Sequence, residues 1–401
     1  MRNTPMSFLP TRDGKATMRF DFATATRILF GPGVVREVAP AARGMGGRAL
    51  LVTGRSPERA ETLAGQLEAE GVACTGLAVD GEPSVDLVRQ GVELARRERC
   101  EVVIAFGGGS AIDAGKAVAA LLANGGELSD HLEVIGKGLP LHRPSVPFIA
   151  VPTTAGTGSE VTRNAVLASA EHRVKVSLRS PLMLPRLAVV DPELTLGLPP
   201  AATARTGLDA LTQLIEPYVS IRANPLADGF CLEGLRRASR SLRRAYHSGG
   251  DVVAREDMSL SSLMGGLALA NAGLGVVHGF AAPLGGMFGA PHGALCAALL
   301  PQGMSVNIRA IRARAPESGT LQRYETVARL LTGRARATAE DGAKWVLELC
   351  REFEIPSLGS YGVQETDVPL LVEKASKASS TKGNPIPLTV DELREVLLRA
   401  L

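Results

Sequence analysis

Four short runs of β-branched and apolar residues, at 49–53, 101–106, 146–151 and 187–190, are separated by amphipathic stretches in the first half of the chain. A run that is apolar throughout suits a strand buried on both faces, and strand–helix–strand in this rhythm predicts a parallel sheet covered on both sides. Helices are expected at 57–70, with Pro57 in the first turn, at 84–99, and from the glycines at 107–109 to about residue 122. Near residue 195 the strand signal stops. Helical periodicity then runs through 204–220, 225–247, 252–272, 276–288, 304–314, 322–333, 337–352, 366–378 and 390–401. The expected organisation is an α/β domain at 18–194 and an all-α domain at 195–401, with no Ser- or Pro-rich linker between them. Residues 1–17 read as a flexible tail, with Met6 and Met18 as alternative starts, and 380–387 as a turn between helices.

Composition excludes several classes of function. The 401 residues suffice for two domains. Lys+Arg 44 against Asp+Glu 41, a net charge of +3, does not suggest a nucleic-acid partner. The arginines between Arg236 and Arg244 recur at helical spacing and read as a solvated helix face. No apolar run approaches the roughly 18–20 residues that span a bilayer, and the polar start lacks the hydrophobic core of a signal peptide. Five scattered cysteines (Cys74, Cys100, Cys231, Cys296, Cys350) fit reduced thiols in a cytoplasmic protein, with no Cys-based zinc spacing.

Between Asn271 and Gln302 the chain is apolar and glycine-rich, yet it carries His278 and His292, two of only six histidines. An imidazole in such a segment needs a partner or suffers a desolvation penalty of a few kcal/mol. Two of them suggest a shared one, a divalent metal. Asp209 lies on another apolar helical stretch, four residues before Gln213, so both project from one face. Asp209 could cap a neighbouring helix, but the two histidines favour a common cation.

Gly107-Gly108-Gly109-Ser110 lies between a buried strand and a helix, where free N–H groups and glycine backbone suit a pyrophosphate. Asp113 and Lys116 follow on the first turns of the helix. A second loop, Pro152-Thr153-Thr154-Ala155-Gly156-Thr157-Gly158-Ser159-Glu160, offers hydroxyls and glycines after the next strand. A chain reversal and a capped helix start are the structural alternatives.

These words, in this order, resemble the iron-containing (group III) alcohol dehydrogenase family. The match includes Phe30-Gly31-Pro32-Gly33, the two loops, Asp191-Pro192, Thr206 to Thr212, His278-Gly279 with Pro283-Leu284-Gly285, and Pro291-His292-Gly293, from about residue 18 to the end. The resemblance implies a Rossmann-like N-terminal domain, an all-α C-terminal domain (the dehydroquinate synthase-like fold), and a cleft between them for cofactor and metal. It implies that Gly107, Gly108, Gly109, Ser110 and Asp113 hold the pyrophosphate side, with Thr153, Thr154, Thr157 and Lys175 lining the rest of the nucleotide. It also implies a homodimer or larger homo-oligomer, acting on a small alcohol or aldehyde.

The family's metal helix reads Asp-x-x-x-His, followed by two further histidines. Asp209, His278 and His292 match that pattern, whereas Gln213 replaces a histidine and is a doubtful ligand. Three strong ligands still make an open catalytic site for Fe²⁺ or Zn²⁺, with Gln213 shifting the preference toward Zn²⁺. A second histidine usually follows four residues after His278; Ala282 stands there, so a proton relay must differ. NAD-preferring members place an Asp after the first strand. This chain has Gly54-Arg55-Ser56. Without that carboxylate a 2′-phosphate is not repelled, and Arg55 or Ser56 can receive it, which favours NADP(H) over NAD(H). The alternatives are a polyol, hydroxy-acid or maleylacetate-type dehydrogenase, a dehydroquinate synthase-like lyase, or a degenerate nucleotide-binding member.

Overall fold

The run after Glu101 is buried at every position, as a central parallel strand must be. The computed structural model describes residues 19–169, 171–172 and 174–401. The expected tail at 1–17 lies outside them. The strands are β1 (Ile28–Phe30), β2 (Arg48–Thr53), β3 (Ala73–Ala78), β4 (Val102–Gly107), β5 (Phe148–Pro152), β6 (Asn164–Ser169), β7 (Val174–Arg179) and β8 (Leu187–Val190). Six of them form one parallel sheet in the order β1-β8-β5-β4-β2-β3. Its helices are α1 (Val38–Arg43), α2 (Glu61–Ala69), α3 (Val85–Arg97), α4 (Gly109–Asn124) and the single turn α5 (Leu128–His131).

Alternation along the strands divides the core in two. Ala49, Leu51, Val102 and Ile104 face α1 and α2, packing with Val38, Ala42, Leu63 and Leu67. Leu50, Val52, Val103 and Ala105 face α3 and α4, packing with Val88, Val92, Ile112 and Val118. This is the double coverage that the apolar runs predict.

Three features were not anticipated. Short β1 and glycine-containing β3 are the edge strands. β6 and β7 form an antiparallel pair outside the main sheet, with alternating burial. Pro57–Ala60 is a 3-10 turn before α2 rather than part of one long helix.

A buried lysine ties the β6–β7 pair to the sheet. The wholly buried Lys116 ammonium, on α4, donates to Ser159 O (2.8 Å), Ser159 Oγ (3.0 Å), Thr162 Oγ1 (3.0 Å) and Asn164 O (2.8 Å). Asp113, one turn earlier, lies 3.7 Å from it.

From Pro200 onward every described element is helical: α6 (Pro200–Val219), α7 (Pro225–His247), α8 (Val252–Ala272), α9 (Val276–Phe288), α10 (His292–Arg314), α11 (Thr320–Thr332), α12 (Ala339–Glu352), α13 (Val368–Lys377) and α14 (Val390–Ala400), joined by short 3-10 turns. α6 is buried all round from Gly207 to Val219, which makes it the axis of this domain. α8 and α9 meet at a bend of 100°. α10 starts at His292 rather than at the expected 304 and runs through Pro301. It is long and apolar enough to cross a membrane, contrary to the sequence reading, but its most apolar stretch is 78% buried inside the protein, as a core helix is.

The arginines of α7 do more than meet solvent. Arg237 and Arg240 pair with the buried Asp257 at 2.8 and 2.7 Å, and Arg243 stacks over Trp345.

Removing the lysine leaves Asp113 and several acceptors buried without a cation. Lys116→Met is expected to cost about 3–5 kcal/mol of stability, measured by chemical unfolding. A loss below about 1 kcal/mol would show that these groups are satisfied without it.

Candidate active site

Three helices bring the polar residues of the apolar segments together. Asp209, Gln213 and Glu216 lie on α6 at i, i+4 and i+7, on one face. His278 is in the first turn of α9, and His292 opens α10. Gly293 allows α10 to abut α6, since a Cβ there would lie 2.5 Å from the Arg205 carbonyl oxygen.

His278 Nε2 lies 3.5 Å and His292 Nε2 3.7 Å from the same oxygen, Asp209 Oδ1. The carboxylate and His278 are buried, and His292 is partly exposed. Asp209 Oδ1 is a buried oxygen without a hydrogen-bond partner. Around a tetrahedral ion, nitrogen and oxygen ligands at about 2.0–2.1 Å are about 3.3–3.4 Å apart. The separations found are close to that value, and an orphaned carboxylate oxygen is what a cation would satisfy. The donor set therefore fits a divalent metal.

The orientation of His278 is fixed from behind. Glu216 Oε2 lies 2.7 Å from His278 Nδ1, and Glu216 Oε1 accepts the Val277 N–H at 2.7 Å. Asn384 Oδ1 accepts the Val276 N–H at 3.1 Å. Two side chains from distant segments thus cap α9. Glu216 also holds a proton on Nδ1 and leaves Nε2 free to bind a metal. The turn at 380–387, to which sequence gave no role, supplies Asn384.

Electrostatics reflect the crowding. Burial opposes charge on His278, yet Cys296, Asp209 and Glu216 hold its pKa well above the ordinary imidazole value. Burial likewise opposes charge on His292, and Cys296 and Asp209 raise its pKa. Burial pushes Asp209 up, but the two histidines outweigh it and keep the carboxyl below its ordinary range.

Gln213 is buried, and its Oε1 has no hydrogen-bond partner. Ala282 lies one turn after His278 on α9. Besides Asn384, sequence reading missed Glu216 and Cys296. Glu216 could have been found from its i+7 spacing to Asp209. Cys296 could have been found from its i+4 spacing to His292, once α10 is seen to begin at His292.

The two loops expected to bind nucleotide lie side by side. Gly108 precedes α4 in an extended conformation with no side-chain cap, so Gly109 and Ser110 carry the free amides of the helix start. The Thr153 N–H donates to Gly107 O at 2.9 Å. Thr154 packs on Gly108 and Thr157 on Gly109. Asp113 is engaged within the protein, by the Ser159 hydroxyl and by the Val166 N–H at 2.9 Å. Lys175 Nζ pairs with Glu82 at 2.8 Å and lies against Gly285 of α9. Gly54 has open space where a side chain would be. Arg55 is exposed and pairs with Asp80 at 2.5 Å; Ser56 is exposed beside it.

Comparison with known proteins agrees with this geometry. Residues 25–192 match the model of the family described as iron-containing alcohol dehydrogenase, and residues 203–401 match that of the Fe-containing alcohol dehydrogenase family, C-terminal. The chain is 39% identical over 324 residues to alcohol dehydrogenase 4 of Schizosaccharomyces pombe, covering 80% of this chain and 74% of that protein. It is 35% identical over 391 residues to 1,3-propanediol dehydrogenase of Klebsiella pneumoniae, covering 95% and 98%. A crystal structure of 1,3-propanediol oxidoreductase superposes with a TM-score of 0.88 at 34% identity, covering 96% of this chain and all of that one.

The raised imidazole pKa values have a measurable consequence. In metal-free protein their stabilisation is fully present below the ordinary value of 6.5 and is lost as the pH rises through the higher folded values. Metal binding needs neutral imidazoles, so protons compete with the ion. The Tm increment produced by added Zn²⁺ is therefore expected to grow with pH above 6.5, while that histidine contribution to the metal-free protein declines. A zinc increment independent of pH would exclude the two histidines as ligands.

Proposed function

The chain belongs to the iron-containing alcohol dehydrogenase family, an alcohol oxidoreductase using a nicotinamide cofactor, and from that premise we propose the following assignment of its residues. Asp209, His278 and His292 hold the divalent metal, Fe²⁺ or Zn²⁺. The carrying observation is the buried Asp209 Oδ1, orphaned between two imidazole Nε2 atoms. A bound ion supplies Lewis acidity toward the oxygen of an alcohol or carbonyl, and the nicotinamide accepts or donates hydride. Glu216 and Asn384 position His278. Gly107, Gly108, Gly109 and Ser110 receive the pyrophosphate on the α4 amides, with Thr153, Thr154, Thr157 and Lys175 along the rest of the nucleotide and Asp113 bracing the loop from below. With Ala282 in place of an imidazole, the proton leaves through water, a ribose hydroxyl or another side chain.

The substrate is a small primary alcohol or its aldehyde. NADP(H) is the preferred nucleotide: position 54 carries no carboxylate, and Arg55 is tied only by an exposed ion pair, a weak restraint. The domain boundary is placed at 194/195, supported by the last strand ending at Val190 and the first long helix starting at Pro200. The same reading includes a homodimer or larger homo-oligomer in the cytoplasm, without membrane or nucleic-acid partners. It is supported by the family resemblance, the reduced cysteines and the near-neutral charge.

Metal analysis and NADPH oxidation with a panel of short aldehydes test the assignment. Asp209→Ala is expected to abolish turnover and metal binding, with folding checked by circular dichroism. A folded variant that retains its metal would refute the ligand set. For the nucleotide, Gly54→Asp places a carboxylate where there is room. It should lower kcat/KM for NADPH by about tenfold or more while sparing NADH, because a carboxylate there repels the 2′-phosphate. Arg55→Ala should act in the same direction; equal effects on both nucleotides would refute the NADP(H) preference.

A further inference from the structure

Cys296 lies one turn after His292 on α10, so both side chains leave the same face. Its Sγ is 3.6 Å from His292 Nε2 and 3.8 Å from His278 Nε2. Ligand atoms from Asp209, His278, His292 and Cys296 all lie within 4.8 Å of one another. With sulfur at about 2.3 Å and nitrogen at about 2.0–2.1 Å from a tetrahedral ion, the two are about 3.6 Å apart. The sulfur meets that geometry as closely as the imidazoles do.

We propose that the Cys296 thiolate is a protein ligand of the divalent ion, in the role left open by Gln213, and that it biases the site toward Zn²⁺ over Fe²⁺. The inference rests on the reading of Asp209, His278 and His292 as ligands. The same buried, unpartnered Asp209 Oδ1 marks where the ion would sit, and the sulfur lies in that cluster. A neutral amide oxygen at 213 is a poor donor to these ions, whereas a thiolate is a soft donor that zinc binds well. On metal binding the S–H bond breaks, the sulfur–metal bond forms, and the proton passes to solvent.

Other cysteines show what a structural thiol does here. Cys231 is buried in the apolar helical core, and Cys350 donates to the Ala297 carbonyl at 3.3 Å. Cys296 instead faces two imidazole nitrogens. His292 is the partly exposed member of the four, so a substrate oxygen would approach from its side as a fifth ligand.

Cobalt(II) is the probe. Metal-free full-length protein loaded with Co²⁺ is expected to show a thiolate-to-cobalt charge-transfer band in the near ultraviolet beside visible d–d bands. Cys296→Ser and Cys296→Ala should lose the near-ultraviolet band, keep the d–d bands, and bind Zn²⁺ about tenfold or more weakly in competition with a chromophoric chelator. Gln213→Ala should keep the band. Visible bands without the ultraviolet band in the wild-type protein would overturn the proposal and leave the three-ligand reading standing. So would an ultraviolet band that persists in the Cys296 variants. Failure to bind Co²⁺ or Zn²⁺ at all would overturn both. Should the variants not fold, the wild-type spectrum still decides.

Discussion

A carboxylate buried in the middle of an apolar helix is the constraint on which the rest of this structure turns. α6 is enclosed on every side, and it carries both Asp209 and Glu216. The two acids meet different ends. Glu216 is satisfied by the protein, with a backbone N–H on one oxygen and His278 on the other. Asp209 keeps an oxygen with no hydrogen-bond donor. Burying a charge without a partner is strongly unfavourable. In metal-free protein, protonated imidazoles are its only cations among the described residues of the cluster. One acid serves as a support and the other is left to a cation, as the proposed assignment has it, and the neighbouring helices are arranged around that division.

The support is itself assembled from distant sequence. α9 begins after a sharp bend, so its first amides have no helical partners. Glu216 and Asn384 accept two of them, and the second of these comes from near the C-terminus. Asn384 is held in turn by Asn307 and by the Ile386 carbonyl. His278 is thus held twice, by the capped end of its helix and by the Glu216 carboxylate on its ring. A histidine fixed by a carboxylate on the opposite nitrogen presents a single tautomer to the site.

Much of this was legible in the sequence. Fully apolar strand runs and the glycines after β4 placed the parallel sheet, and α7, α8 and α9 began and ended where periodicity put them. Asp209, His278 and His292, which the structure brings together, stood out because polar groups in apolar segments need partners. Illegible parts have physical reasons. β3 is an exposed edge with a glycine, and β6 and β7 bury only alternate residues, so none of them stands out as a buried run. Pro301 reads as a helix breaker, yet α10 continues through it. The Ala297 carbonyl that proline deprives of its N–H accepts the Cys350 thiol instead. That tertiary repair is invisible in local sequence. It hides the true start of α10, and with it the spacing that sets Cys296 beside His292.

The loop at 153–159 and helix α6, proposed above for nucleotide and metal, meet through close backbone contacts, which bears on how hydride transfer would be aligned. Gly158 lies against Gly266 of α8 so closely that a Cβ on it would stand 2.4 Å from the Gly266 Cα. Gly156 meets Thr206, three residues before Asp209 on α6, and a Cβ there would stand 2.7 Å from the Thr206 Cβ. The same loop packs Thr157 on Gly109 at the start of α4. The amides at the start of α4 and the helix that carries Asp209 are thus linked by one short, glycine-spaced segment. Hydride transfer depends steeply on distance and angle between donor and acceptor. A contact made of backbone atoms resists deformation better than one made of long side chains, so on the proposed assignment the loop at 153–159 would set the spacing between cofactor and metal.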